Sequence, residues 1–104
     1  METAAPDKDK PMDEKYRKIL MSVRVALVRD MDIKKVLRHM AAAHVFEQED
    51  ADVIKTQVSR EEQCEKFLDM LPTRGAKAYG SFIEALKKGA RQEFLAEVVL
   101  EAGK

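Results

Sequence analysis

The sequence predicts an all-α protein: one antiparallel bundle of six short helices. Two observations carry that reading. From residue 12 onward, apolar residues recur at three- and four-residue spacing, without strand-like alternation or a glycine-rich linker. The chain is also short, at 104 residues, with 45% hydrophobic and 37% charged residues. That mixture suits a single small domain with a modest core and a charged surface, and not a disordered chain.

Residues 1–11 are polar, contain Pro6 and Pro11, and alternate Asp with Lys, so they read as a flexible tail before a domain spanning 12–104. The first helix is expected over 13–29, with Tyr16, Ile19, Leu20, Val23 and Leu27 on one face and Asp13 and Glu14 at its positive N-terminal end. Asp32 is placed to cap the second helix, whose stripe is Ile33, Val36, Leu37 and Met40, extended by three alanines to His44. The third helix, over 48–58, rests on Val53 and Ile54, with Phe46 just before it. Ser59-Arg60-Glu61-Glu62 has the form of a capping box. It opens a fourth helix that turns Cys64, Phe67, Leu68 and Leu71 inward. The fifth starts near Gly75, carries Ala78, Tyr79, Phe82, Ile83 and Leu86, and stops at Gly89. The sixth, over 91–101, presents Phe94, Leu95, Val98 and Val99.

Charge narrows the function classes. The formal net charge is zero, which argues against nonspecific nucleic-acid binding. The distribution is uneven. Residues 1–42 hold ten Lys/Arg and seven Asp/Glu, a balance of +3; residues 43–73 hold three and eight, −5; residues 74–104 hold six and four, +2. Opposed patches on a neutral chain favour association with a copy or a similar partner. The single cysteine, Cys64, permits no internal disulfide and fits a reducing compartment. No apolar run approaches a membrane span and no signal peptide opens the chain, so a soluble cytoplasmic protein without membrane partners is expected.

The most specific stretch is Leu71-Pro72-Thr73-Arg74-Gly75 followed by Ala78-Tyr79, Phe82 and Ala85-Leu86. It resembles the junction between the fourth and fifth helices of a caspase recruitment domain (CARD). The likeness runs over residues 12–100 and is greatest to CARDs of initiator caspases and their adaptors. Met12-Asp13-Glu14 with Arg17-Lys18 and Arg24 is similar to an initiator-caspase prodomain. The resemblance implies a six-helix antiparallel Greek-key bundle of the death-fold type, with the first helix bent, although no Pro or Gly marks a bend. It implies no enzyme activity and no cofactor. The implied activity is homotypic: one CARD binds another, recruiting or oligomerising a caspase or adaptor in apoptotic or inflammatory signalling.

In many CARD pairs a basic face on helices one and four meets an acidic face on helices two and three. Here the first helix is basic, and Arg17, Lys18, Arg24 and Arg29 form the expected basic face, with Arg24 the foremost candidate. The second helix is also basic, through Lys34, Lys35 and Arg38. Acidic residues gather on the third and fourth helices, so Glu49, Asp50, Asp52, Glu61 and Glu65 form the expected acidic face. Some of the 47–52 cluster also suits a helix N-terminus. Arg74 is expected to tie helix ends together through Asp69 or a carbonyl of the fourth helix, and Gly75 to supply backbone freedom.

Other chemistry is poorly served. The 47–52 cluster lacks the glycine and terminal Glu spacing of a calcium loop. His39 and His44 stand five apart, unlike zinc ligands on one helical face. Cys64 lies in a core stripe and reads as a buried thiol, not a nucleophile. No catalytic, cofactor or metal residue is assigned. Two alternatives to CARD-mediated recruitment remain: a regulatory bundle docking a partner's amphipathic helix, and an inhibitory CARD-only decoy.

Overall fold

Ser22 sets the first departure from six continuous helices. Its hydroxyl donates to the Ile19 carbonyl at 2.7 Å, and Val23 leaves helical geometry at φ −110°, ψ 10°. A serine bonding back onto its own helix bends it. The computed structural model describes residues 12–104; the proposed tail, 1–11, lies outside them. The first helix is therefore two, α1 (Glu14–Ser22) and α2 (Arg24–Asp30). There follow α3 (Ile33–Ala42), α4 (Gln48–Lys55), α5 (Arg60–Met70), α6 (Ala78–Glu84) and α7 (Glu93–Ala102). Leu71–Thr73 forms a 3₁₀ turn after α5, and Ala85–Gly89 a π-helical turn after α6. Among the described residues there is no strand. The all-α bundle is as expected, with seven α-helices among the described residues in place of six, the first helix being divided at the bend that the resemblance implied.

Local signals account for most of the boundaries. Asp13 and Asp32 cap α1 and α3, accepting from the Lys15 and Lys35 amides. The Ser59 box closes in both directions, with Glu62 N to Ser59 Oγ at 3.0 Å and Ser59 N to Glu62 Oε1 at 3.3 Å. Helix α3 ends sooner than its alanines suggest. His44 takes a left-handed φ of 63°, and the His44 and Val45 amides return to the Ala41 and Met40 carbonyls, a Schellman stop with histidine in the usual glycine position. Gly75, at φ 109°, supplies the left-handed turn between α5 and α6.

The core is continuous and holds no buried charged residue among those described. Phe67 of α5 stands at its centre, 5.0 Å between ring centroids from Phe46 and 5.6 Å from Phe82 of α6. The expected glycine stop is not what ends this segment: the left-handed residue is Arg91, at φ 56°, and the role of Gly89, the last residue of the π-helical turn, is in packing. A Cβ there would lie 2.8 Å from His39 Cβ, so glycine is what lets α3 close on the π-helical turn. Three residues placed inward by pattern face out: Val53, Phe94 and Val98, at 42%, 56% and 38% exposure. Ala51 and Ile54 fill the core from α4, and Leu95, Ala96 and Val99 from α7. Small alanines centre each buried face and let the helices approach closely.

Candidate protein-interaction surface

The four residues of the expected basic face occupy different environments. Arg17 is exposed on α1 and makes no ion pair with a described residue, while Lys18 meets Glu14 across one turn at 3.7 Å. Arg29, at the end of α2, pairs with the adjacent Asp30 at 3.1 Å. Arg24 is committed inside the molecule. Its Nε donates to Glu65 Oε1 at 2.6 Å, and its Nη2 to the Glu65 carbonyl at 3.0 Å and to Asp69 Oδ1 at 2.8 Å. Burial works against the Arg24 charge, but the hydrogen bonds to Asp69 and Glu65 outweigh it and hold the guanidinium above the ordinary arginine value.

The acidic candidates divide in the same way. Glu49 on α4 and Glu61 in the first turn of α5 are exposed and without ion pairs among the described residues. Asp52 accepts from Gln48 Nε2 at 2.9 Å. Glu65 belongs to the Arg24 network, so one member of each expected face meets the other within a single chain. Asp50 is structural on both oxygens: Oδ2 accepts the Glu47 amide at 2.9 Å and Oδ1 meets Arg74 Nη2 at 2.9 Å. The Arg74 guanidinium also lies 5.7 Å from the centre of the Phe46 ring. Arg74 does tie helix ends together, but its partner is Asp50 of α4 and not the expected Asp69.

Pattern reading passed over two residues that brace the surface. Arg60 donates to the Arg29 carbonyl at 2.7 Å and the Met31 carbonyl at 3.0 Å. Gln92 donates to the Asp30 carbonyl and accepts from the Asp32 amide, both at 2.8 Å. Together they fix the turn between α2 and α3. An arginine in the first position of a helix, against the dipole, was the one available signal for Arg60. On another side, Tyr16 and Tyr79 stack at 4.2 Å, and the Met12 amide reaches the Pro72 carbonyl at 2.9 Å, docking the start of the domain on the α5–α6 turn.

A groove of about 570 Å³ opens between α3 and α4. Ile33, Leu37, Ala41 and Ala51 give it an apolar lining. Lys34, Arg38 and Lys55 stand around it, and no carboxylate of a described residue lines it. Among the described residues, no three His, Cys, Asp or Glu side chains are placed to hold a metal, and no helix is long and apolar enough to cross a membrane. Burial pushes the Cys64 thiol up, with Arg60 opposing, and its Sγ lies 3.8 Å from the Met31 carbonyl.

A bundle whose distinguishing features are charged faces and an apolar groove belongs to the helical protein-interaction domains. Comparison with known proteins supplies the family: the caspase recruitment domain model matches residues 17–101, and the chain belongs to that family of non-catalytic interaction domains. It is similar to caspase-2 of Gallus gallus, at 31% identity over 90 residues, 86% of this chain. The chain spans 21% of the length of that relative.

Proposed function

We propose that this CARD works by homotypic contact, binding another CARD-containing protein, a caspase or an adaptor, and raising the local concentration of what that protein carries. The basic residues Arg17, Lys18, Arg24 and Arg29 meet an acidic partner face. Glu49, Asp52 and Glu61, with Asp50 and Glu65 held among them by Arg74 and Arg24, meet a basic one, and self-association uses the same complementarity. The setting is cytoplasmic, in apoptotic or inflammatory signalling, as prodomain, adaptor or decoy, with 12–104 as the working domain.

The observation that supports this best is the contrast between Arg17 on α1 and Glu49 and Glu61 on α4 and α5, all exposed and without ion pairs among the described residues. Charges in that state have hydrogen-bonding capacity to offer a partner. The test is capture from cytosol with wild-type and Arg17→Glu baits. Arg17 is the better probe than Arg24, because its reversal disturbs no ion pair among the described residues. A CARD protein retained by wild type, lost with Arg17→Glu and weakened by salt is the expected result. Equal capture by both baits overturns the basic-face assignment. The groove between α3 and α4 favours a second reading, docking of an amphipathic helix.

A further inference from the structure

The outer face of α7 and the α3–α4 groove are complementary in charge, and both carry apolar side chains. Helix α7 turns Leu95, Ala96 and Val99 to the core and leaves Phe94 56% and Val98 38% exposed. Phe94, Glu97, Val98 and Glu101 recur at the three- and four-residue spacing that sets them on one face. No Lys or Arg interrupts α7; among the described residues Glu101 pairs with Lys104, just beyond its end. This is an acidic, apolar stripe. The groove is its converse, with an apolar lining and cations at Lys34, Arg38 and Lys55 that pair with no carboxylate among the described residues.

We propose that the stripe on α7 of one copy seats in the α3–α4 groove of a second copy. Phe94 and Val98 fill the apolar lining, and Glu97 and Glu101 face Arg38, Lys34 and Lys55. The stripe and the groove are different surfaces of one chain, so the contact is head-to-tail and each addition leaves a free stripe and a free groove. The inference rests on the homotypic reading above and deepens it: it names a self-contact on α3, α4 and α7 made by residues other than the charged candidates of α1, α2, α4 and α5.

Sedimentation velocity of the purified chain, from micromolar to millimolar concentration, tests the proposal without any partner protein. The capture experiment can therefore fail while this one succeeds, and the reverse. Wild type is expected to sediment faster as concentration rises. Arg38→Glu alone and Glu97→Lys alone should remain monomeric. An equimolar mixture of the two should regain association, because each supplies the surface that the other lacks. Phe94→Ser should weaken self-association by about tenfold or more, the loss of roughly 1.4 kcal/mol of contact. All three positions are exposed, and circular dichroism checks that each variant is folded. A monomeric wild type, single variants that associate normally, or an inert mixture would each overturn the proposal. So would loss with Arg38→Glu but not Glu97→Lys, which would give the groove a different occupant.

Discussion

Arg24 of α2 and Glu65 of α5 are joined twice, through the glutamate's carboxylate and through its backbone carbonyl. With Asp69 alongside, a single guanidinium ties together two helices through residues 41 and 45 positions apart in sequence. An arginine at this position therefore has a folding role whatever it does at an interface.

Arg24→Ala is expected to lower stability by about 1 kcal/mol, since the side chains involved are partly exposed and such pairs contribute roughly 0.2–1 kcal/mol each. Thermal melts should show a drop of several degrees that shrinks in molar salt. A variant that melts like wild type in low salt would reduce the network to a surface ornament. Arg24→Glu sets a third carboxylate beside Glu65 and Asp69 and should cost more, so any loss of partner binding it causes must be separated from loss of fold.

Gln92→Ala removes the donor to the Asp30 carbonyl and the acceptor for the Asp32 amide. Leaving both groups unpaired at a half-buried turn should cost about 1–3 kcal/mol. Urea unfolding gives the magnitude. Hydrogen exchange at the Asp32 amide locates it, and unchanged protection there would show that the staple is dispensable.

The glycines at 89 and 80 should respond oppositely to alanine. At Gly89 the new Cβ would meet His39 Cβ at 2.8 Å, an atom fixed to the α3 backbone, so α3 and the π-helical turn must part. The expected cost is about 1–3 kcal/mol, as for overpacking elsewhere. At Gly80 a Cβ has nothing within 4 Å, and Gly80→Ala inside α6 should gain about 0.5–1 kcal/mol. Paired melts decide both.

Stability should fall on the alkaline side. Burial raises the Cys64 thiol, and burial with the neighbouring Tyr16 raises Tyr79. Each group stays protonated in the folded chain at pH values where the unfolded chain ionises. The stabilisation is whole below the unfolded values, about 8.5 for the thiol and about 10 for the phenol. It is lost as pH climbs from there through the higher folded values, with a slope of at most about 1.4 kcal/mol per pH unit for each group. Urea midpoints measured from neutral to alkaline pH should decline first across the thiol range. A Cys64→Ala variant, though less stable, should show a flatter decline there. Equal slopes would remove Cys64 from the account.

What was legible in the sequence was local. The Ser59 box, the Asp32 cap and the Gly75 turn are each written within a few residues, and each appears as read. The bend at Val23 had a local cause too, the Ser22 hydroxyl, but serine is too common inside helices to signal one. Phe94 and Val98 were misplaced because α7 has adjacent apolar pairs, Phe94-Leu95 and Val98-Val99, and periodicity alone does not choose between the two flanks. Packing chose, through Ala96. The candidate faces were least legible. Whether a charge is free or committed depends on partners as distant as Glu65 from Arg24 and Asp50 from Arg74, and no spacing rule spans such distances.

The turn between α2 and α3 is held from two sides, by Arg60 and by Gln92. During synthesis those sides arrive at different times. Helices α1 to α3 leave the ribosome first, Arg60 follows, and Gln92 emerges only near the end of the domain. Until then the elbow between the two early helices hangs on one hand, so their final angle is among the last things the growing chain settles. Nascent chains halted before and after residue 92 should accordingly differ in how well a protease cuts at 30–32.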